Sequence, residues 1–163
     1  MKRFFYLQKA LLREIDRYAL EVPERDMDPD WERVHISSCA KLGYQMAEER
    51  GLDPDLAACA CAVHDYGRIL TGRQDGHAEA GYLPVMDFLR ETRLFSEEEI
   101  LQLGISTRNH SKKGEKGTEL EEIVKDADIL DFYQYGQLKM REDQKSRLAR
   151  LLRDDRCIGK AHC

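Results

Sequence analysis

Several features common in other protein classes are missing from this chain, and each absence excludes something. Long uncharged runs are absent: the longest, Leu56 to His64, falls far short of the roughly 20 apolar residues a membrane span needs. The opening stretch MKRFFYLQKALLRE has no unbroken apolar core, because Lys9, Arg13 and Glu14 interrupt it. A secretory leader is therefore not expected, and a cytoplasmic location is. Paired cysteine spacing is absent too. The five cysteines (Cys39, Cys59, Cys61, Cys157 and Cys163) are odd in number and form no C-x-x-C pair. Three sit in apolar helical stretches, so they read as reduced core thiols rather than disulfides or structural zinc ligands. Nor is there an excess of positive charge. The net charge is −5, with acids and bases interspersed. A groove for a nucleic-acid polymer is not announced, and a small ligand held by a few local cations fits better.

What is present suits one helical domain. The 163 residues suffice for one hydrophobic core and are too few for two comfortable ones. Hydrophobic residues make up 42%, charged residues 35%, and prolines number only four. Apolar spacing and punctuation predict helices over about 3–20 and 30–50, the second with Asp30 as N-cap and Gly51 past its end. A third is capped by Asp53 with Pro54 at its first position and runs to about Leu70. A fourth spans about 77–91, and a fifth starts on the capping box Ser96-Glu-Glu-Glu99 and ends near His110. The sixth and seventh cover about 119–135 and 142–154. Nothing shows the period-2 alternation of strands. The expected fold is all-α, a single domain over 1–163 with about six to seven helices.

The chemistry concentrates in a few residues. Leu56 to Val63 reads LAACACAV, apolar on every side as in a helix through a domain centre, and runs directly into His64-Asp65. Burying such a pair without partners costs several kcal/mol (about 2–7 for a neutral polar group alone), so it must be hydrogen-bonded, neutralised or metal-bound. His35 lies on the core-facing stripe of the second helix with Trp31, Cys39, Leu42 and Met46. His110 closes the fifth helix. Asp126 and Asp128 flank the apolar line of the sixth almost equally, so phasing does not choose between them, whereas Asp131 falls closer to that line as a candidate buried carboxylate.

The ordered set His35, His64-Asp65, His110 and Asp128 resembles the HD-domain superfamily of metal-dependent phosphohydrolases. The likeness covers about Trp31 to Tyr135: WERVHISSCAKLGYQMAEERGLDPDLAACACAVHDYGR looks like the first ligand helix and the buried helix ending in His-Asp, and VKDADILD like the closing helix. The resemblance implies a domain core over about 31–135 with the first and last helices packed on it, and it favours Asp128 over Asp126 as a ligand. It implies a divalent metal held by His35, His64, Asp65 and Asp128. Iron or manganese leads by ligand type, with zinc, magnesium or nickel also compatible. The metal would acidify bound water into a hydroxide that attacks phosphorus, with Asp65 coordinating and orienting.

HDYGR, then His77 opening an H-x-x-x-G helix, then RNHS resembles the dinuclear branch that includes bacterial diadenosine tetraphosphate hydrolases. There His77 and His110 would hold a second metal, although the spacing from Asp65 to His77 is shorter than that branch shows. Arg68 stands where many relatives carry lysine and would act in catalysis by gripping phosphate bidentately. Lys112 and Lys113 would add positive potential at the same mouth, unless they are ordinary solvated loop lysines. The expected partner is a small phosphorylated, nucleotide-like substrate. A non-catalytic nucleotide-binding signalling module and a di-iron oxygenase are the alternatives. The run REDQKSRLARLLRDDR reads as a surface helix with Leu148, Leu151 and Leu152 inward, and the CIGKAHC tail as a frayed end without function.

Overall fold

A computed structural model describes residues 2–136 and 139–153. These residues form helices without strands: α1 (Lys2–Glu21), α2 (Pro29–Arg50), α3 (Pro54–Val63), α4 (Tyr66–Thr71), α5 (His77–Thr92), α6 (Glu97–Asn109), α7 (Glu119–Gln134) and α8 (Glu142–Leu151). The expected all-α class holds. The tail from Asp154 onward, with Cys157, His162 and Cys163, lies outside the described residues. Among the described residues no helix is long and apolar enough to cross a membrane.

Helix α3 is the axis of the fold. Every residue from Ala57 to Val63 is fully buried, and α1, α2, α6 and α7 pack around it. Its small side chains let α2 approach closely: a Cβ on Gly43 would collide with the Cys61 sulfur and sit 3.2 Å from the Ala57 carbonyl. Cys39, Cys59 and Cys61 are free and buried there, as expected of core thiols. Helix α1 adds the stripe Phe4, Leu7, Leu11 and Ile15, a 3.6-period face that seals one side.

Four local expectations are corrected. The third helix does not run on to Leu70. It breaks at His64-Asp65, where Asp65 takes φ −97° and ψ 16°, a sparsely occupied backbone region in which active-site residues often sit. The carbonyl freed at Val63 is met by the Thr107 hydroxyl at 3.5 Å. The N-cap of α2 is Asp28, not Asp30: its carboxylate accepts from Asp30 N at 2.7 Å, with Pro29 at the first helical position. On α8, Leu151 is buried but Leu152 is 38% exposed. That helix docks through Arg147 instead, whose buried guanidinium donates to Lys113 O at 2.9 Å, Asp126 Oδ1 at 2.6 Å and Glu122 Oε2 at 2.9 Å. Lys113 is also no solvated loop residue: it is buried.

Helices α4 and α5 cross glycine on glycine. A Cβ on Gly67 would strike the His77 carbonyl and lie 2.6 Å from Gly81 N. This crossing brings the head of α5 against the His-Asp break. Gly67→Ala is therefore expected to destabilise the protein by about 2 kcal/mol or more in urea unfolding. Gly114→Ala, where the nearest atom is 3.6 Å away, should stay within about 0.5 kcal/mol of wild type.

Candidate metal centre

Five elements converge on one buried point. Helix α2 presents His35, the α3–α4 break presents His64 and Asp65, α5 opens with His77, α6 ends at His110, and α7 carries Asp128. His35, His64, Asp65, His77 and His110 are all at most 5% exposed.

Each imidazole is oriented by its Nδ1–H. That of His35 donates to Asp131 Oδ2 at 2.6 Å, that of His64 to Cys61 O at 2.7 Å, that of His77 to Gln74 O at 2.5 Å, and that of His110 to Thr107 O at 2.6 Å. For a neutral ring this fixes the tautomer and leaves the Nε2 lone pair as the free donor to a cation. Trp31 stacks on His35 with ring centroids 5.2 Å apart. The four Nε2 atoms then face one another in pairs, His35–His64 at 3.3 Å and His77–His110 at 2.9 Å.

Asp65 sits between the pairs. Its Oδ2 lies 3.2 Å from His35 Nε2 and 3.1 Å from His64 Nε2, while its Oδ1 lies 3.0 Å from His77 Nε2 and 3.3 Å from His110 Nε2. Asp128 Oδ1 joins the first pair, 3.4 Å from His35 and 3.6 Å from His64. Two ligands bonded at about 2.1 Å to one cation stand about 3.0–3.4 Å apart, so these separations fit the edges of coordination polyhedra. The chemistry of the set, imidazole and carboxylate, fits borderline divalent ions. Cys39 belongs to the same cluster, its ligand atom within 4.8 Å of those of His35, His64 and Asp128. It lies 3.7 and 3.8 Å from the two His35 ring nitrogens, and burial pushes its thiol up to about 12, so it packs as a neutral thiol at neutral pH.

With protons as the competing cations, the His35–His64 pair and His110 behave oppositely. Burial works against a charge on His64, but Asp65 and Asp128 outweigh it and hold its pKa at about 9. His35 is shifted the same way: burial opposes its charge, while the carboxylates of Asp128, Asp131 and Asp65 raise it well above the ordinary value. Burial drives His110 down to about 4, which leaves it neutral. Asp65 and Asp128 resist burial because cations face them, Arg68 and His64 on the first and Lys113 on the second, and both carboxyls stay well below the usual range.

The supporting residues were less visible from sequence. Arg68 is 3% exposed. It donates to Glu32 at 2.7 and 3.1 Å, to Gln74 Oε1 at 2.8 Å, and to Asp65 Oδ2. Nearly all its N–H groups are thus engaged by protein. Glu32, fully buried, went unnoticed, although it precedes His35 by three residues on the same helical face. Lys113 pairs with Asp128 Oδ2. Lys112 stays half-exposed on the rim, 4.0 Å from Glu115. Asp126, the alternative to Asp128, points elsewhere and pairs with Arg50 and Arg147. The centre opens into a cleft of about 600 Å³ that Asp65, Arg68, His77, His110, Lys113 and Asp128 help to line.

A helical bundle that closes a buried cluster of histidines and aspartates around a His-Asp dipeptide defines a class of metal-binding proteins. The HD-domain family model matches residues 34–133, well over half of the chain, and the chain belongs to that family, whose members are mostly metal-dependent hydrolases. No curated protein and no solved structure matches the chain.

Two measurements probe this centre. Asp131→Asn removes the carboxylate that fixes the His35 ring, and metal affinity in a chelator competition should fall about 10–100-fold. In chelated protein, stability by thermal melting should peak near pH 6.5. His110, neutral down to about 4, makes stability rise as pH climbs from about 4 to 6.5. His64 contributes stability that is complete below 6.5 and lost as pH rises through about 9. Bound metal should remove the alkaline decline, because it takes the place of the His64 proton.

Proposed function

We propose that this protein is a dinuclear metal-dependent phosphohydrolase that cleaves a phosphate ester or anhydride of a nucleotide-like small molecule. One observation carries the proposal: the Asp65 carboxylate turns one oxygen to the His35–His64 pair and the other to the His77–His110 pair. A single carboxylate so placed suits two cations side by side. His35, His64, Asp65 and Asp128 would hold the first, and His77, His110 and Asp65 the second. Ions bound there would supply Lewis acidity toward phosphoryl oxygens and lower the pKa of a water. Iron or manganese suits this mixture of imidazole and carboxylate best, and zinc, magnesium and nickel are compatible.

The chain's own residues do the rest. Arg68, gripped by Glu32 and Gln74, locks the Asp65 carboxylate in its bridging orientation and keeps little hydrogen-bonding capacity for a phosphate oxygen. Lys113 holds the outer oxygen of Asp128 and leaves the inner one facing the histidines. Lys112, half-exposed at the rim and only loosely paired with Glu115, is placed to meet phosphate. A cleft of about 600 Å³ falls in the range of roughly 300–1,000 Å³ typical of whole small ligands.

Metal analysis and phosphate release across a nucleotide panel test this. Two metal ions per chain are expected in wild type and one in His77→Ala, and Asp65→Ala should lower phosphate release by at least ~100-fold. Absence of phosphate release with every divalent metal tried, or oxygen consumption in its place, would overturn the proposal.

A further inference from the structure

Helix α8 lies outside the matched segment, which ends at residue 133, yet Arg141 and Gln144 from its first turn line the cleft. The helix is firmly seated. The Arg147 guanidinium binds Asp126, Glu122 and the Lys113 carbonyl, and Arg141 Nη2 donates to Ser111 O at 2.8 Å. That contact sets Arg141 beside the loop carrying Lys112.

The charges lining the cleft sort by wall once the paired ones are set aside. Arg68 is taken by Glu32 and Asp65, Lys113 by Asp128, and Asp26 by Gln74 N and Arg73. Arg108, Lys112 and Arg141 remain at the end of α6, the following loop and α8, the last two paired only with acids outside the cleft lining, Glu115 and Asp143; Asp75 and Glu79 remain at the head of α5. Arg108 is held over the Tyr82 ring at 4.4 Å. Arg141 is 58% exposed on its side chain; its Nε and Nη2 meet the partly exposed Asp143 and the Ser111 carbonyl. An anionic substrate is thus drawn to the end formed by Arg108, Lys112 and Arg141 rather than to the head of α5.

Resting on the phosphohydrolase reading, we infer that Arg141, with Lys112 beside it, is a specificity-determining residue that grips a second phosphoryl group of the substrate while the first lies at the metal centre. With Nε and Nη2 held by Asp143 and Ser111 O, Arg141 Nη1 is left to make charge-assisted hydrogen bonds to phosphate oxygens, and the cleft is far larger than one phosphate requires.

The test is calorimetric binding of orthophosphate and of methylenediphosphonate, an unhydrolysable pair of linked phosphoryl groups, to the manganese-loaded protein. Wild type should bind the diphosphonate at least ~10-fold more tightly than orthophosphate, about the difference one charge-assisted hydrogen bond makes. Arg141→Ala should lose that preference while its orthophosphate affinity and melting temperature stay close to wild type; Arg141→Lys should recover part of it. A preference that survives in Arg141→Ala overturns the inference, as does a loss of orthophosphate affinity of the same size. Wild type that binds both probes equally overturns it and leaves the phosphohydrolase reading standing, whereas wild type that binds neither overturns both.

Discussion

Everything in this molecule is arranged around four imidazole lone pairs that have nowhere to go but toward one another. Each ring spends its Nδ1–H on a carbonyl or on Asp131. The Nε2 atoms then meet in pairs at 3.3 and 2.9 Å about the two oxygens of Asp65. Acceptors facing acceptors in a buried site are costly without a cation between them. Protons partly meet that need at His35 and His64, whose neighbouring carboxylates retain them. Nothing meets it at His110, which burial keeps neutral. Divalent cations, one at each pair, would meet the need of both, and so the fold stores, in its helix packing, the free energy of a site that metal would complete.

That arrangement constrains the helices more tightly than a hydrophobic core alone would. Two crossings are made of the smallest residues, Gly43 against Cys61 and Gly67 against Gly81, because larger side chains would hold the ligand-bearing helices too far apart. Around them runs a ring of buried ion pairs: Arg68 with Glu32 and Asp65, Lys113 with Asp128, Arg147 with Asp126 and Glu122. Buried pairs add little net stability against well-packed apolar residues, and breaking one is costly. Their value here is directional. Arg68 and Lys113 each take one oxygen of a ligand carboxylate and thereby aim the other.

The helices were legible in the sequence because amphipathic spacing and capping chemistry are local signals. Asp53-Pro54 and the Ser96–Glu99 box start α3 and α6 where expected. Convergence of His35, His64, Asp65, His77, His110 and Asp128 was readable only through resemblance, since phasing could not separate Asp126 from Asp128. Both lie at similar angles from the apolar line, and what separates them is tertiary: arginines on α2 and α8 claim Asp126. The break at Asp65 was hidden because LAACACAV continues smoothly into helix-compatible residues. Only the glycine crossing with α5 and the demands on the carboxylate reveal it. Lys113 looked like one of a solvated pair, because a buried partner fifteen residues away, Asp128, leaves no local trace.

The division of labour within the chain follows from these constraints. Residues that face the metal centre belong to helices pinned by close crossings, and they vary little in position without loss of the whole site. Residues that face the remainder of the cleft come from segments held by a few polar anchors: the 111–113 loop, the head of α5, and α8. Such segments can change side chains without disturbing the histidines, which is how a common reaction centre is fitted to different substrates. In this chain the anchor is Arg147, which fixes α8 to α7 and to the backbone of Lys113 in the same stroke. The element that shapes the far end of the cleft is thereby tied to the residue that steadies Asp128. The far end of the cleft and the surroundings of Asp128 are thus mechanically linked through one buried guanidinium.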